Sequence, residues 1–528
     1  MTRRLSIIAA VATVGMILVP VAGMVLAVLD PPPGLELPPA RTVTELAPLI
    51  ARTLALAFFV SVASLVLGTW LAWVERRVDA KGVRLLSVLS ILPLAVPSYL
   101  LATIVRESMA PGGPLGQALG TSGRFTGFWP AALVLVITTT PFVQLLVGAA
   151  LGRLPVDQEE AARSLGAGPW RRFKSLVVPH LRPTWAFSLV IVALYTISDF
   201  GAVAVLDCQV LTWELFKAYS NFDVVGAVQL GFGLMLLVLP LLVGVRLLHG
   251  TTRVERGVGG VRTVSRRSLP AWGSAATWLA WAFVVGLGVF LPVWTLGSWL
   301  VSGLEAPGVA FAPIGDDIID TALLGFAGAW VALLMAFIPA WAVVRSMRRR
   351  RWFVEQGTYL TSSLPGVLVA FGIVQMAVVL KRNAPFEVGG ESFWLLLERF
   401  GFLVVLGYTM RFLAEGYAAL KPAVLRLDPR QEESARSLGA GAPRRMWRVV
   451  LPQLAPGLAA AYVLLFLSIV KELPITMMLL PAGRTTLAYR VFDAQREGLL
   501  PDVGLAGMVL LVLALCVQLV LLRWRRHV

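Results

Sequence analysis

Long apolar runs, separated by short polar segments, set the pattern of this chain. The runs lie near residues 6–28, 50–74, 85–105, 129–151, 184–206 and 226–248. A second series lies near 275–300, 322–344, 358–380, 400–420, 455–480 and 504–523. A helix rises about 1.5 Å per residue, so about 20 apolar residues cross the roughly 30 Å hydrocarbon layer. The pattern therefore predicts an all-α membrane protein with twelve transmembrane helices in two sets of six. Arg411 and Glu415 interrupt the run near 400–420. The first run, Ser6–Val28, follows the basic start MTRR. It is longer than the core of a signal peptide and no small-x-small site ends it, so a retained anchor is expected.

The polar segments fix an orientation. With the N-terminus inside, the inner segments are the N-terminus, 75–84, 153–183, 246–272, 345–357, 421–454 and the C-terminus. They hold 33 of the 46 Lys and Arg residues. Basic residues collect on the cytoplasmic side, so both termini are expected there. Composition agrees: 57% of residues are hydrophobic and 14% charged, with mean hydropathy +0.78. A soluble domain carries about 25% charge. The net charge of +16 then belongs to cytoplasmic loops, and no nucleic-acid partner is implied.

Several chemistries lack the residues they need. Cys208 and Cys516 form no CxxC, and His180, His249 and His527 are scattered, so no zinc site is expected. No GxxxxGK[ST] loop occurs, so the chain is expected to hold no nucleotide itself. No span carries a His/Glu metal pair or a nucleophile beside a base, which argues against an intramembrane enzyme.

The stretch HGTTRVERGVGGVRTVSRRSLPAWG, 249–273, is basic, polar and Gly-rich. It reads as a cytoplasmic linker. The expected layout is a first half over 1–250, a linker over 251–272 and a second half over 273–528. Six spans per half leave both halves in one orientation, which is a parallel repeat.

The polar loops confirm a duplication. EEAARSLGAG begins at Glu159 and EESARSLGAG at Glu432, 273 positions later, with nine of ten residues identical. Aligned without gaps, 157–183 and 430–456 share 16 of 27 residues. The same offset sets Asp199 opposite Glu472, Thr212 opposite Thr485 and Lys217 opposite Arg490. Each copy reads as a short helix in a cytoplasmic loop. Asp157 or Asp428 caps it, glutamates favour the positive end of its dipole, and Gly166 or Gly168 ends the first copy. In the second, Pro429 takes the first helical position and Gln431 the third. An amphipathic helix resting on lipid would tolerate drift, and an anionic membrane surface would repel Glu-Glu. The preserved side chains favour docking on a protein partner.

The spacing Glu-Ala-Ala, three residues, Gly, nine residues, apolar-x-apolar-Pro resembles the EAA loop of bacterial ABC importer permeases. The first copy matches at Glu160, Ala161, Ala162, Gly166, Leu176, Val178 and Pro179. The second matches at Glu433, Ser434, Ala435, Gly439, Val449, Leu451 and Pro452, with Ser434 replacing Ala. The resemblance covers both halves and implies a fused pair of type I ABC importer permease repeats. It implies coupling loops at about 153–183 and 421–456, which would seat on two copies of a cytoplasmic ABC ATPase. ATP and Mg would belong to that partner, and the chain itself would bind no cofactor. The ATPase-coupling residues would be Glu159, Glu160, Ala161, Ala162, Arg163, Gly166 and Gly168, with Glu432, Glu433, Ser434, Ala435, Arg436, Gly439 and Gly441. A periplasmic binding protein would deliver the substrate, and the site of action would be the bacterial inner membrane.

Fused permeases of this kind include ferric-iron and thiamine importers. YTISDFGAVAVL from Tyr195, SIVKELPITMMLLPAGRTTLAYRVFD from Ser468 and ILPLAVPSYLLA from Ile91 resemble the ferric group, whereas DCQVLTW departs from its usual pattern. Thiamine or another small solute is the alternative. A secondary transporter would not need the duplicated coupling loop. Asp199 and Glu472 each cost roughly 2.5–3.5 kcal/mol inside a span, unless they face a polar pathway. Three readings stay open: a translocation pathway with transient metal contact, the cap of a broken helix, or an interhelical hydrogen bond. No firm metal site is expected. Thr212/Thr485 and Lys217/Arg490 would lie outside the membrane, in reach of a binding protein or simply solvated.

Overall fold

The computed structural model describes residues 2–31, 38–79, 82–121, 123–154, 156–249, 270–305, 313–345, 348–361, 364–383, 386–388 and 391–524. Among them, ten helices are long and apolar enough to cross a membrane. Four belong to the first series: Val43–Arg77, Phe128–Leu151, Pro169–Ser198 and Val224–Gly244. Six belong to the second: Trp272–Glu305, Gly315–Val343, Gly366–Asn383, Phe402–Leu425, Ala442–Val470 and Leu500–Gln518. A bent pair, Val83–Leu94 and Ser98–Met109, has the length and apolarity of a span only when its two helices are taken together. The expected first span lies inside the helix Thr2–Leu29. The fold is all-α apart from a pairing of Glu387–Val388 with Glu391–Ser392.

Two expected spans are divided. The run near 85–105 turns by 101° between its two helices. Pro93 and Pro97 account for this, because proline removes an N–H and disfavours helical geometry in the residue before it. The backbone carbonyls at the bend find partners in the second half. Ile91 accepts from Gln518 Nε2 and Leu94 from Lys471 Nζ, both at 3.0 Å. In a membrane such groups must be satisfied within the protein. The run near 358–380 is divided likewise. Arg348–Thr361 is helical, where a loop over 345–357 was expected, and Gly366–Asn383 begins just after Pro365. The linker expected at 251–272 lies outside the described residues up to 269, and its last two residues already belong to the helix Ala271–Trp281.

Each half lends its first helix to the other. Thr2–Leu29 packs against Gly366–Asn383, with Gly23 passing so close to the Gly372 carbonyl that a methyl group would overlap it. Arg382 fastens the far end by donating to the backbone carbonyls of Asp30 and Pro31, both at 2.7 Å. Trp272–Glu305 packs in turn on the first half, where Thr295 meets Ser108 at 3.3 Å. Small residues at such crossings let helices approach where no hydrophobic force drives them together.

The repeat is real in three dimensions, but its register shifts. Leu211 donates its backbone N–H to the Thr53 hydroxyl at 3.1 Å, and Leu487 donates to Thr321 at 2.9 Å. Leu211 therefore corresponds to Leu487, three residues beyond the constant offset. The expected pairs Thr212/Thr485 and Lys217/Arg490 are accordingly not equivalent positions. Arg490 occupies the place of Glu214 instead. It bridges Asp317 at 2.5 Å and Asp502 at 2.9 Å, while Lys217 pairs with Glu214 at 2.6 Å.

Candidate functional site

The duplicated phrase folds as two near-identical loops. Their helices are Val156–Ser164 and Pro429–Ser437. In the second copy Asp428 caps the helix by accepting from the Arg430 N–H at 3.0 Å, with Pro429 at the first position. In the first copy Asp157 falls within the first turn instead of capping it. The sequence explains this: proline precedes the aspartate in the first copy (Pro155, Asp157) and follows it in the second. Both helices end alike. Gly166 and Gly439 have φ of +77°. The N–H of Ala167 reaches back to Ala162, and that of Ala440 to Ala435, at 2.9 and 3.0 Å. This six-residue closure needs a left-handed residue, which glycine supplies without strain. Gly168 and Gly441 have ordinary backbone angles and start the next helices.

Side chains of the loops divide by exposure. Glu160, Ala161, Arg163, Gly166 and Gly168 are exposed, as are Glu433, Ser434, Arg436, Gly439 and Gly441. Ala162, Ala435 and both leading glutamates are half-buried. Glu159 binds Arg77 at 2.5 Å, and Arg77 is buried. Glu432 lies 3.8 Å from Arg445 and lines a cavity of about 310 Å³ with Glu433 and Arg436. Glu159 thus holds its loop to the body, Glu432 stays within its own loop, and the second glutamates are exposed. Reasoning from sequence missed Leu165 and Leu438, which are 86% and 87% exposed. The available signal was an identical apolar residue in two polar loops.

A continuous helix leaves each loop. Pro169–Ser198 ends at Asp199, and Ala442–Val470 ends two residues before Glu472. Each passes through a π-helical stretch, Phe173–Val177 or Met446–Val450. At about 1.5 Å per residue, some 30 residues make a rod about 45 Å long.

At the far ends of these rods the two acids occupy matching positions. Asp199 Oδ1 accepts from the Ala202 N–H at 2.9 Å, and Glu472 accepts from Ile475. Each thereby caps a short helix, Gly201–Val205 or Pro474–Leu479. Their neighbours differ in a complementary way. The Ser98 hydroxyl bonds Asp199. In the second half Gly366 follows Pro365 as Ser98 follows Pro97, and it leaves room for the longer Glu472.

Three more charges, all half-buried like Glu472, join this cluster. Tyr408 meets Thr476 at 2.6 Å, and Ser468 donates to Glu415 at 2.6 Å. Residues 408, 411 and 415 share one helix face, so Arg411 is held between those two contacts, level with Glu472. Its charge acts on both Asp199 and Glu472. Lys471 interacts with Glu415. The corresponding first-half helix, Phe128–Leu151, has no charged residue, so the cluster is asymmetric. Sequence reading treated Arg411 and Glu415 only as interruptions of a span. Among the described residues no group of three His, Cys, Asp or Glu side chains is placed to hold a metal ion.

The profile of the family described as binding-protein-dependent transport system inner membrane component matches residues 64–254 and again 328–528. The chain belongs to this family. It is a multi-pass ABC importer permease with the two permease repeats joined in one chain. The permease is 26% identical over 454 residues to the Fe(3+)-transport system permease protein FbpB 2 of Haemophilus influenzae, covering 85% of this chain and 84% of that protein. It is 23% identical over 498 residues to the ferric transport system permease protein FbpB of Actinobacillus pleuropneumoniae, covering 89% and 70%. The molybdenum transport system permease protein ModB of Azotobacter vinelandii is 33% identical over 186 residues, covering 34% of this chain and 81% of its own.

Proposed function

We propose that this permease carries ferric iron, delivered by a periplasmic binding protein, into the cytoplasm. The observation that carries this reading is that similarity to the two ferric permeases runs through both halves and most of each chain. The molybdenum relative matches about a third of the chain. Two carboxylates at matching positions, Asp199 buried and Glu472 half-buried, also suit a cation better than an oxyanion.

Each coupling loop receives one ATPase subunit, giving two ATPases per permease. ATP and Mg reside on those subunits, and this chain supplies no cofactor site. Both loops and both termini face the cytoplasm, in keeping with the basic segments. Glu160, Arg163, Glu433 and Arg436 offer charge to the ATPase, and Leu165 and Leu438 offer apolar surface. ATPase closure shifts the loops, and the rods carry that shift to Asp199 and Glu472 in the pathway.

Uptake of labelled ferric iron and labelled thiamine, in cells with and without the permease, its binding protein and its ATPase, tests the reading. Iron uptake that needs all three, and that falls when Glu160 and Glu433 are both changed to Ala, supports substrate and coupling together. Thiamine uptake in its place would keep the machinery and discard the substrate.

A further inference from the structure

Two polar atoms in the buried cluster have no use so far. Among the described residues, the Tyr99 hydroxyl and Glu472 Oε1 are fully buried and lack a hydrogen-bond partner. They come from different halves. Tyr99 lies on Ser98–Met109 and is 2% exposed, with its Cβ packed against Gly201 two residues beyond Asp199. Glu472 belongs to the second half, and its charge acts on both the Tyr99 hydroxyl and Asp199. A donor and an acceptor that each face burial unpaired normally find each other, because an unmet buried group costs about 1–3 kcal/mol. Here both stay open, on elements that the Lys471 to Leu94 hydrogen bond brings together at the seam between the halves.

The lining defines the guest. A phenolic oxygen and two carboxylates are hard donors, and they suit a hard, oxygen-preferring cation. Two acids would repel one another in a dry seam. The Arg411 guanidinium acts on both and offsets one of the two charges. Aromatic pairs cross the same seam nearby, Phe200 with Phe492 at 6.2 Å and Tyr219 with Phe371 at 5.9 Å.

We propose that Tyr99, Asp199 and Glu472 form a transit site for a hard, oxygen-preferring cation between the two halves, with Arg411 as the resting counter-charge that the cation replaces. The choice of cation rests on the ferric reading above.

The test uses the whole complex in proteoliposomes: permease, ATPase, and binding protein loaded with radiolabelled ferric iron. Iron accumulation and ATP hydrolysis stimulated by the binding protein are read together. Tyr99→Phe keeps the ring and removes only the hydroxyl. Glu472→Gln keeps the volume and removes the charge. Each is expected to lower iron accumulation by on the order of tenfold while stimulated hydrolysis continues, so that cycles turn without cargo. Should one variant fail to assemble, the other still decides. Iron accumulation at the unmodified rate by an assembled variant overturns the site and leaves the ferric reading intact. An unmodified complex that hydrolyses ATP but accumulates no iron overturns the ferric reading itself.

Discussion

Gly366 stands directly against Glu472: a Cβ atom at residue 366 would lie 2.5 Å from Glu472 Oε1. The first half solves the same problem with Ser98 and the shorter Asp199. Gly366→Ala is therefore expected to displace the carboxylate and cost about 1–3 kcal/mol, as overpacking does. Thermal unfolding of the purified complex, beside iron uptake, measures both effects. Gly366→Ser combined with Glu472→Asp copies the first half's pairing. It is expected to recover most of the lost stability, and no recovery would show that the two pockets differ in more than these residues.

Arg411 lies in the field of buried Asp199 and half-buried Glu472, so its removal should be costly. Breaking a buried charge arrangement by deleting one partner typically costs about 3–5 kcal/mol. Arg411→Gln is expected to destabilise the complex on that scale. Glu472→Gln added to it should restore stability by removing the uncompensated charge, without restoring iron uptake. Additive destabilisation in the double variant would mean that the two side chains do not interact.

Glycines of the coupling loops should separate by backbone angle. Gly166 and Gly439 sit at φ +77°, whereas Gly168 and Gly441 sit at −61° and −63°. A side chain in left-handed geometry costs about 1–2 kcal/mol, so Gly166→Ala with Gly439→Ala should weaken ATPase association roughly five- to thirtyfold. Gly168→Ala with Gly441→Ala should change it far less. Binding of the ATPase to permease in nanodiscs gives the comparison, and equal losses would argue that the glycines serve contact and not the turn.

Leu165 and Leu438 are almost wholly exposed in polar loops. Buried in a partner's cleft, each leucine is worth about 1.5–3 kcal/mol. Leu165→Asp with Leu438→Asp should therefore leave unfolding of the isolated permease unchanged and abolish co-purification with the ATPase. Retained co-purification would place the contact elsewhere on the loops.

Features repeated over short distances were legible in the sequence. Twelve apolar segments, the basic polar loops and the doubled loop phrase all follow from local patterning, because bilayer thickness and helix rise fix how long a span must be. Capping by Asp428 and Pro429 was readable for the same reason. Misreadings arose where partners are distant. The bend at Pro93 and Pro97 was signalled by the prolines, but it is stabilised by Gln518 and Lys471, more than 370 positions away. A constant offset of 273 found Asp199 and Glu472 and then failed three residues short of Leu487, since gapless alignment cannot register an insertion between structural anchors.

The sequence by itself thus determined a duplicated helical permease with two matching polar loops, because hydropathy and caps act within a few turns of chain. Only tertiary structure decided that each half wraps its first helix around the other. Only it decided that Arg411, an apparent blemish in a span, acts on the two acids, and that the charge of Glu472 reaches Tyr99 of the other half. Those relations depend on which helix faces touch once the halves close. That choice rests on close helix packing spread over the whole interface, and no stretch of the chain records it alone.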